Sequence, residues 1–370
     1  MMPMPSTEAA SPLTEAASLP RHNNFDFLRI VLAILVIWGH CPELLGTSEW
    51  SGKREILEFA THGQIYSGRL AVCGFFLISG FLISQSWERS QGLKDYFSKR
   101  VRRIYPGFVA ASLLTACVFA PLGADSFSDY WHAFDPIHFL ANLFFLNQPD
   151  APPTFLHLKI HAANGSLWTI QAEFLCYILV AVLGVAGLLK RRAFVLVFTT
   201  LMLLVYWRTT IHMTQKIYTA PIPYIISFGQ WLPNLVYFCI GMACVYMART
   251  RVTTKIALAA FVLTVCASQF PPYGILFVLP FTLPILLLWT AYTPCLKMQD
   301  FAKKKGDLSY GIYVYAFPIQ QCLIKFVPSL RHATLLFFAA LLLTLPFAWL
   351  SWHLIESPFM RKRETEIASS

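Results

Sequence analysis

Residues 25–45 read FDFLRIVLAILVIWGHCPELL, a long apolar run that also contains Asp26, Arg29 and His40. About 20 helical residues cross a hydrocarbon core of about 30 Å, so this run is long enough for a transmembrane helix. Ionisable side chains inside such a helix are costly and usually face the interior of a helix bundle. The run therefore predicts a first membrane span that carries candidate functional residues.

The rest of the chain repeats this pattern. Apolar residues make up 56% of the 370 residues and charged residues only 13%, whereas a soluble domain carries about 25% charged residues. Short alternating segments typical of a membrane barrel are absent from the sequence. Apolar spans are predicted near residues 25–45, 66–87, 104–122, 167–189, 193–212, 226–248, 255–269, 273–293, 308–327 and 333–355. The sequence thus predicts an all-α integral membrane protein, a bundle of about ten transmembrane helices.

Basic residues alternate between the loops of this bundle. Lys and Arg cluster after the even-numbered spans, at residues 89–103, 190–192, 249–255, 297–305 and 361–363. Loops on the cytoplasmic side of a membrane carry an excess of Lys and Arg, so both termini are expected to be cytoplasmic. The net charge of +10 then reflects membrane topology, and no nucleic-acid partner is expected.

Three segments are distinguished by composition. Residues 1–22 lack the apolar core of a signal peptide and are expected to be a disordered cytoplasmic tail. The membrane domain is expected at 23–360, followed by a basic cytoplasmic tail at 361–370. The long connection at 123–166, predicted outside, is interpreted either as the rim of a binding mouth or as a solvated connector.

The nine cysteines form no CxxC pair and no pattern of metal-ligand spacing. Most of them fall inside apolar runs, where cysteine is usually a small buried hydrophobe. No metal ion is therefore expected in this protein.

Arg29 and His40 are eleven residues apart, close to three helical turns, so they share one face of the first span. Their separation along the helix axis is about 16 Å. Arg29 alone is equally typical of a side chain that reaches lipid phosphates, and His40 alone of a contact between helices. Both on one face favour a functional site that admits an anionic donor from the Arg29 end.

Two further groups of polar residues are candidates for the same site. Glu173 lies about six residues, or about 9 Å, into a span that enters from outside. A carboxylate at this depth could pair with His40, which would act as the general base; a structural contact between helices is the alternative. Arg100 and Arg103 are one turn apart at the cytoplasmic surface, where they could bind phosphates or be ordinary cytoplasmic charge.

These residues lie in segments that together resemble the acyltransferase-3 family of membrane O-acyltransferases over residues 23–360. The resemblance is carried by NNFDFLRIVLAILVIWGH, CGFFLISGFLISQSW, SKRVRRIYPGF, GSLWTIQAEF, GDLSYGIYVYAFPI and IESPFMRKR. The sequence departs from the family pattern at Cys73-Gly74, where Asp is frequent, and at Ala316, where His is usual. Neither departure falls on Arg29, His40 or Glu173.

The resemblance implies transfer of an acyl group, commonly acetyl, from cytoplasmic acyl-CoA to a hydroxyl of an extracytoplasmic carbohydrate such as O-antigen or exopolysaccharide. It implies a multi-pass protein of the bacterial inner membrane, with acyl-CoA, the carbohydrate and membrane lipid as partners. The implied catalytic residues are His40 and Glu173. The implied donor-binding residues are Arg29, Arg100 and Arg103, and the implied substrate-binding residues are Asp26, Arg69 and Ser79.

Two other classes of protein remain open at this stage. A transporter or flippase of sugar-linked intermediates would also need buried ionisable groups in a helical bundle. It would not require the spacing of Arg29 and His40 or the arginine pair. A structural membrane subunit predicts that the polar positions tolerate alanine.

Overall fold

The structure is a computed structural model that describes residues 23–46, 55–149, 151–212, 228–246, 252–293 and 306–360. The predicted tails at 1–22 and 361–370 lie outside the described residues. Cys295 and the loop residues 297–305 lie outside them as well. Within the described residues, every regular element is helical.

The described part of the chain contains fourteen α-helices, numbered in chain order. They are α1 (Phe25–Leu45), α2 (Ile56–Ala60), α3 (Ser67–Glu88), α4 (Leu93–Leu114), α5 (Ala120–Gly123), α6 (Phe127–Ala133), α7 (Pro136–Phe144), α8 (Trp168–Val185), α9 (Arg192–His212), α10 (Phe228–Cys244), α11 (Thr254–Ser268), α12 (Gly274–Tyr292), α13 (Ser309–Phe326) and α14 (Ala333–Ser351). A π-helical turn joins α4 to α5, and another follows α14.

Seven helical segments of the described chain are long and apolar enough to cross a membrane. They are Phe25–Leu45, Ser67–Glu88, Leu93–Gly123, Trp168–Val185, Arg192–Ile211, Gly274–Tyr292 and Ala333–Met360. The protein is therefore a multi-pass helical membrane protein. Each of the ten predicted spans falls on a helix, but the count of ten spans is not confirmed.

The other three predicted spans fall on α10, α11 and α13, which are not among these seven segments for two reasons. The apolar stretches on α10 and α11 are shorter than the other spans. Helix α13 has many polar side chains, and nearly all of its residues from Ser309 to Gln321 are buried. Because protein rather than lipid surrounds α13, its surface does not need to be apolar. A buried helix of this bundle can thus be too polar to be recognised by hydropathy alone.

Helix α1 packs against both α3 and α13 and positions the site between them. A Cβ atom added to Gly39 of α1 would overlap the backbone of Gly68 of α3, so these helices touch backbone to backbone. The side-chain amide of Gln320 on α13 donates to the carbonyl of Ile37 on α1 at 2.9 Å. Such close contacts fix the relative heights of the side chains on the three helices.

The connection at 123–166 is docked onto the bundle along its second half. Asn164 donates hydrogen bonds to Thr115 at 3.2 Å and to the carbonyl of Val314 at 2.9 Å. Gln321 donates to the carbonyls of Ile160 and Ala162. A fully solvated connector is therefore not what the structure shows. The first half forms the short helices α6 and α7.

Candidate active site

A cavity of about 240 Å³ lies between α1, α3, α4, α8 and α13. It is lined by Arg29, Val72, Phe75, Phe76, Ile78, Ser79, Leu82, Ile83, Lys99, Arg100, Arg103, Thr169, Ile170, Glu173, Tyr177, Ser309, Tyr310, Tyr313 and Met360. Cations gather at one end of this space, and apolar side chains of α3 form much of its wall. The cavity contains the predicted residues Arg29, Arg100 and Arg103 together with Ser79 and Glu173.

Two of the cavity's arginines share one carboxylate. The Oδ2 atom of Asp307 accepts a hydrogen bond from Arg29 at 3.2 Å and a second from Arg103. The backbone N–H and hydroxyl of Ser309 donate to the other carboxylate oxygen. Arg103 also lies 3.8 Å from Glu356, which is almost fully buried. The charges of Arg29 and Arg103 are therefore largely balanced within the protein.

Asp307 stays ionised because of these partners. It precedes α13 and lies outside the membrane-spanning segments. Burial raises the pKa of its carboxyl group, but Arg103, Arg29 and the two hydrogen bonds from Ser309 outweigh burial and lower the pKa to about 2. Asp307 is thus a fixed anion that orients both guanidinium groups at neutral pH.

Arg100 has no such partner among the described residues. Its guanidinium donates one hydrogen bond to the Ser86 hydroxyl at 3.2 Å and lies 5.8 Å from the centre of the Tyr177 ring. Its Nε atom is buried without a hydrogen-bond partner. The neighbouring cation Lys99, in contrast, is paired with Asp95 at 2.7 Å. Arg100 therefore brings an uncompensated positive charge and unused donors to the cavity.

Glu173 is the centre of a cluster of hydroxyl groups inside the cavity. The hydroxyls of Ser79 and Tyr177 both donate to its Oε1 atom, at 2.8 and 2.6 Å. The hydroxyls of Thr169 and Tyr313 are bonded to each other at 2.6 Å nearby in the same lining. The cavity wall thus offers a carboxyl group that is held by hydrogen bonds and lies among further hydroxyl groups.

His40 lies apart from this cavity. Its Nδ1 atom is 3.2 Å from Oε2 of Glu43, one turn further along α1. Its ring packs edge-on against Phe317 of α13, with the ring centres 5.2 Å apart. The proposed pair of His40 and Glu173 is therefore not formed, because each side chain has a different partner.

The reason for the difference is the depth of Glu173. His40 is level with Gly68 on α3, whereas Glu173 contacts Ser79, eleven residues further along the same helix. That spacing corresponds to about 16 Å along the helix axis. The chain before α8 is already buried at Asn164 and Ser166, so α8 starts inside the bundle and carries Glu173 deeper than a span starting at the surface would.

Two aromatic side chains line the cavity in the direction of His40. Phe75 of α3 and Tyr313 of α13 pack edge to face, with ring centres 5.7 Å apart. Phe75 lies between the levels of Ser79 and Gly68, and Tyr313 is one turn before the Phe317 that contacts His40. Both helices thus place this pair in the cavity wall, towards the end of the bundle where His40 lies.

Of the predicted substrate-binding residues, only Ser79 lines the cavity. Asp26 is exposed one turn before Arg29, and Arg69 is partly buried beside Gly68, at the His40 end of α3.

The sequence patterns did not identify Asp307 or Glu356 as site residues, although both lie in segments that carry the family resemblance. Their contacts with the arginines cannot be read from spacing along the chain. Among the described residues, no three His, Cys, Asp or Glu side chains are grouped as metal ligands would be.

Comparison of the sequence with known proteins finds a matching family and two similar proteins. The sequence model of the acyltransferase domain matches residues 22–353. The chain is 31% identical over 358 residues to the O-acetyl transferase of Shigella phage Sf6, covering 94% of this chain and 99% of that protein. It is 26% identical over 362 residues to nodulation protein 10 of Rhizobium leguminosarum bv. viciae, covering 94% and 95%. No solved structure matches the chain significantly.

Proposed function

Because the chain belongs to this acyltransferase family and is an O-acetyltransferase, we propose that it takes acetyl from acetyl-CoA on the cytoplasmic side. The acceptor is a hydroxyl of a cell-envelope carbohydrate on the other side, such as O-antigen or exopolysaccharide. The observation that carries this proposal is the cavity that joins the uncompensated charge of Arg100 to the Glu173 cluster. A polyanionic donor that also carries a thin, uncharged arm fits both ends of such a space.

Coenzyme A phosphates are assigned to the cationic end of the cavity. Guanidinium groups bind phosphate oxygens through paired, charge-assisted hydrogen bonds. Arg100 has free donors for this purpose, whereas Arg103 and Arg29 are held in place by Asp307. The pantetheine arm with its thioester then lies along the apolar wall of α3, towards Ser79 and Glu173. Their hydroxyl and carboxylate groups position the arm.

The acceptor hydroxyl is assigned to the His40 end. His40 accepts the proton of this hydroxyl as its oxygen attacks the thioester carbonyl. The bond between the carbonyl carbon and the sulfur breaks, and the proton passes from His40 to the leaving thiolate. The products are the O-acetyl ester and free coenzyme A. For these steps to occur, the arm must extend past Phe75 and Tyr313, so that the thioester reaches the level of His40.

The proposed sidedness follows from the distribution of basic residues. With ten spans and both termini cytoplasmic, the loop after α3 is cytoplasmic and the connection at 123–166 is outside. The cationic end of the cavity is then cytoplasmic and His40 lies in the outer half of the membrane. In a bacterial inner membrane, this arrangement separates the coenzyme from the carbohydrate. It also agrees with the supply of acetyl-CoA in the cytoplasm.

The test is acetyl transfer by the full-length protein in detergent, which exposes both sides. Radiolabelled acetyl-CoA and polysaccharide from a strain lacking the gene are the substrates. We expect label in the polysaccharide, and a loss of about 100-fold or more on His40→Ala. The control is Asp129→Asn, an exposed carboxylate of α6 outside the cavity lining, which is expected to retain wild-type activity.

Three results would contradict the proposal in whole or in part. Wild-type protein that transfers no label from acetyl-CoA would exclude this donor. Polysaccharide that crosses a reconstituted membrane unmodified would instead support the transporter interpretation. Activity of His40→Ala equal to that of the wild type would remove His40 from the reaction while leaving acetyl transfer intact.

A further inference from the structure

The group that orients His40 is a carboxylate that the sequence patterns did not single out. We propose that Glu43 is the positioning residue of His40: it holds the Nδ1 hydrogen and directs Nε2 towards the acceptor hydroxyl. This inference rests on the proposed function. Glu173, the carboxylate expected in this role, belongs to the donor cavity with Ser79 and Tyr177.

The hydrogen bond between the two side chains fixes the tautomer of the ring. A carboxylate offers only acceptor sites, so the contact of Glu43 Oε2 with His40 Nδ1 at 3.2 Å requires the hydrogen on Nδ1. In a neutral imidazole the lone pair is then on Nε2. A general base needs a lone pair, and a fixed tautomer keeps it on the same atom through every cycle.

Both partners of this hydrogen bond are held in place, Glu43 by the end of its helix and His40 by a neighbouring ring. Helix α1 ends at Gly46, whose backbone has a φ of 67° and whose N–H bonds to the carbonyls of Glu43 and Pro42. Glycine adopts this left-handed conformation readily, so the helix closes within one turn after Glu43. On the other side, Phe317 packs edge-on against the imidazole. The ring is thus held from two directions.

If the role of Glu43 were purely structural, its side chain would contribute little to the stability of the protein. Its side chain is 48% exposed, and an exposed ion pair contributes only about 0–1 kcal/mol to stability. Removing the carboxylate should therefore leave the fold intact and change only the reaction. This property makes the proposal testable by kinetics.

The experiment measures kcat and KM with acetyl-CoA and polysaccharide from a strain lacking the gene, using full-length protein in detergent. We expect kcat to fall about 10-fold in Glu43→Gln, whose amide oxygen still accepts from Nδ1 but lacks charge, and about 100-fold in Glu43→Ala. Glu43→Asp should recover part of the loss. The KM values should stay within about twofold, because Glu43 touches neither substrate.

Two controls separate positioning from structure. In a His40→Gln background, Glu43→Gln should cause no further loss, because its effect passes through the imidazole. The matched control is Asp125→Asn, which removes the carboxylate of another His–carboxylate pair, the exposed contact with His157 at 3.3 Å. That variant should retain wild-type kcat.

The outcomes are distinct. Wild-type kcat in both Glu43→Gln and Glu43→Ala would overturn the inference and leave the proposed function standing. An equal loss with and without His40 would also overturn it, since the effect would not depend on the ring. Wild-type protein that transfers nothing from acetyl-CoA would overturn the proposed function, and with it the role of Glu43.

Discussion

Arg100 is the residue whose surroundings most directly indicate a ligand. Charge-assisted hydrogen bonds to a phosphate contribute about 1.5–3 kcal/mol, and none of the described carboxylates competes for this guanidinium. We therefore expect Arg100→Gln to raise the KM for acetyl-CoA about 10- to 100-fold, with a smaller effect on kcat. Saturation kinetics with acetyl-CoA measure this directly.

The control for this change is Arg102→Gln. It removes the same charge from the same turn of α4, but Arg102 does not line the cavity. An equal increase of KM in both variants would assign the effect to general surface charge. Unchanged kinetics in Arg100→Gln would exclude the phosphate role of this residue.

Asp307 supports two arginines, so its removal should destabilise the protein. Breaking a buried ion pair on one side costs about 3–5 kcal/mol, because a charge remains without its partner. We expect Asp307→Asn to lower the midpoint of thermal unfolding in detergent. An unchanged midpoint would show that water or lipid replaces the carboxylate.

The same residue predicts a pH dependence of stability. Its folded pKa, about 2, is below the ordinary value of 3.8, so the ion pairs stabilise the protein above pH 3.8. This contribution is lost as the pH falls through the folded pKa. The difference in unfolding midpoint between wild type and Asp307→Asn should therefore be constant down to about pH 4 and shrink towards pH 2.

Several residues of the site were predicted from spacing alone. Arg100 and Arg103 were predicted to share a face, and both line the cavity with Arg29. The partner of His40 was not predicted, because helical periodicity gives the direction of a side chain but not the depth at which a span begins. Glu173 is deeper than expected because α8 starts within the bundle.

At the scale of helices, the contact between α3 and α13 is the element most directly tied to transfer. Phe75 and Tyr313 pack against each other in the cavity wall, and the hydroxyl of Tyr313 is held by Thr169 at 2.6 Å. Removing the Phe75 ring should admit water to the thioester, since exclusion of water prevents hydrolysis of reactive groups. We expect Phe75→Ala to release coenzyme A without acceptor about 10-fold faster than wild type.

The measurement is thiol release from acetyl-CoA in the absence of polysaccharide. Phe75→Leu serves as a milder variant, because loss of a buried aromatic ring can cost about 3–5 kcal/mol of stability. Transfer that falls in both variants without any rise in hydrolysis would show that the pair has no sealing role.

Hydropathy located every helix that it predicted as a span, including α10, α11 and α13. Hydropathy could not show which of these helices are surrounded by protein and which face lipid. Helix α13 can be polar because protein surrounds it. Its position in the bundle is defined by contacts such as that of Gln320 with Ile37. Those contacts join segments more than two hundred residues apart, beyond the range of any local pattern.

At the scale of the whole molecule, sidedness is the property that the proposed reaction requires. Gln91, after α3, and Ser128, on α6, are both exposed. In a variant whose native cysteines are replaced, Ser128→Cys should react with a membrane-impermeant maleimide in intact cells, and Gln91→Cys only after permeabilisation. The reverse pattern would place the arginines outside, away from the cytoplasmic supply of acetyl-CoA.

The aromatic pair of Phe75 and Tyr313 has a consequence for the cell's energy balance. If acyl groups pass through the bilayer along this cavity, as proposed, protons could follow the same opening, and such a leak would dissipate the electrochemical gradient. We expect the packed rings of Phe75 and Tyr313 to keep this route impermeable to ions while the protein is idle. Transfer to a carbohydrate beyond the membrane would then be compatible with respiration across that same membrane.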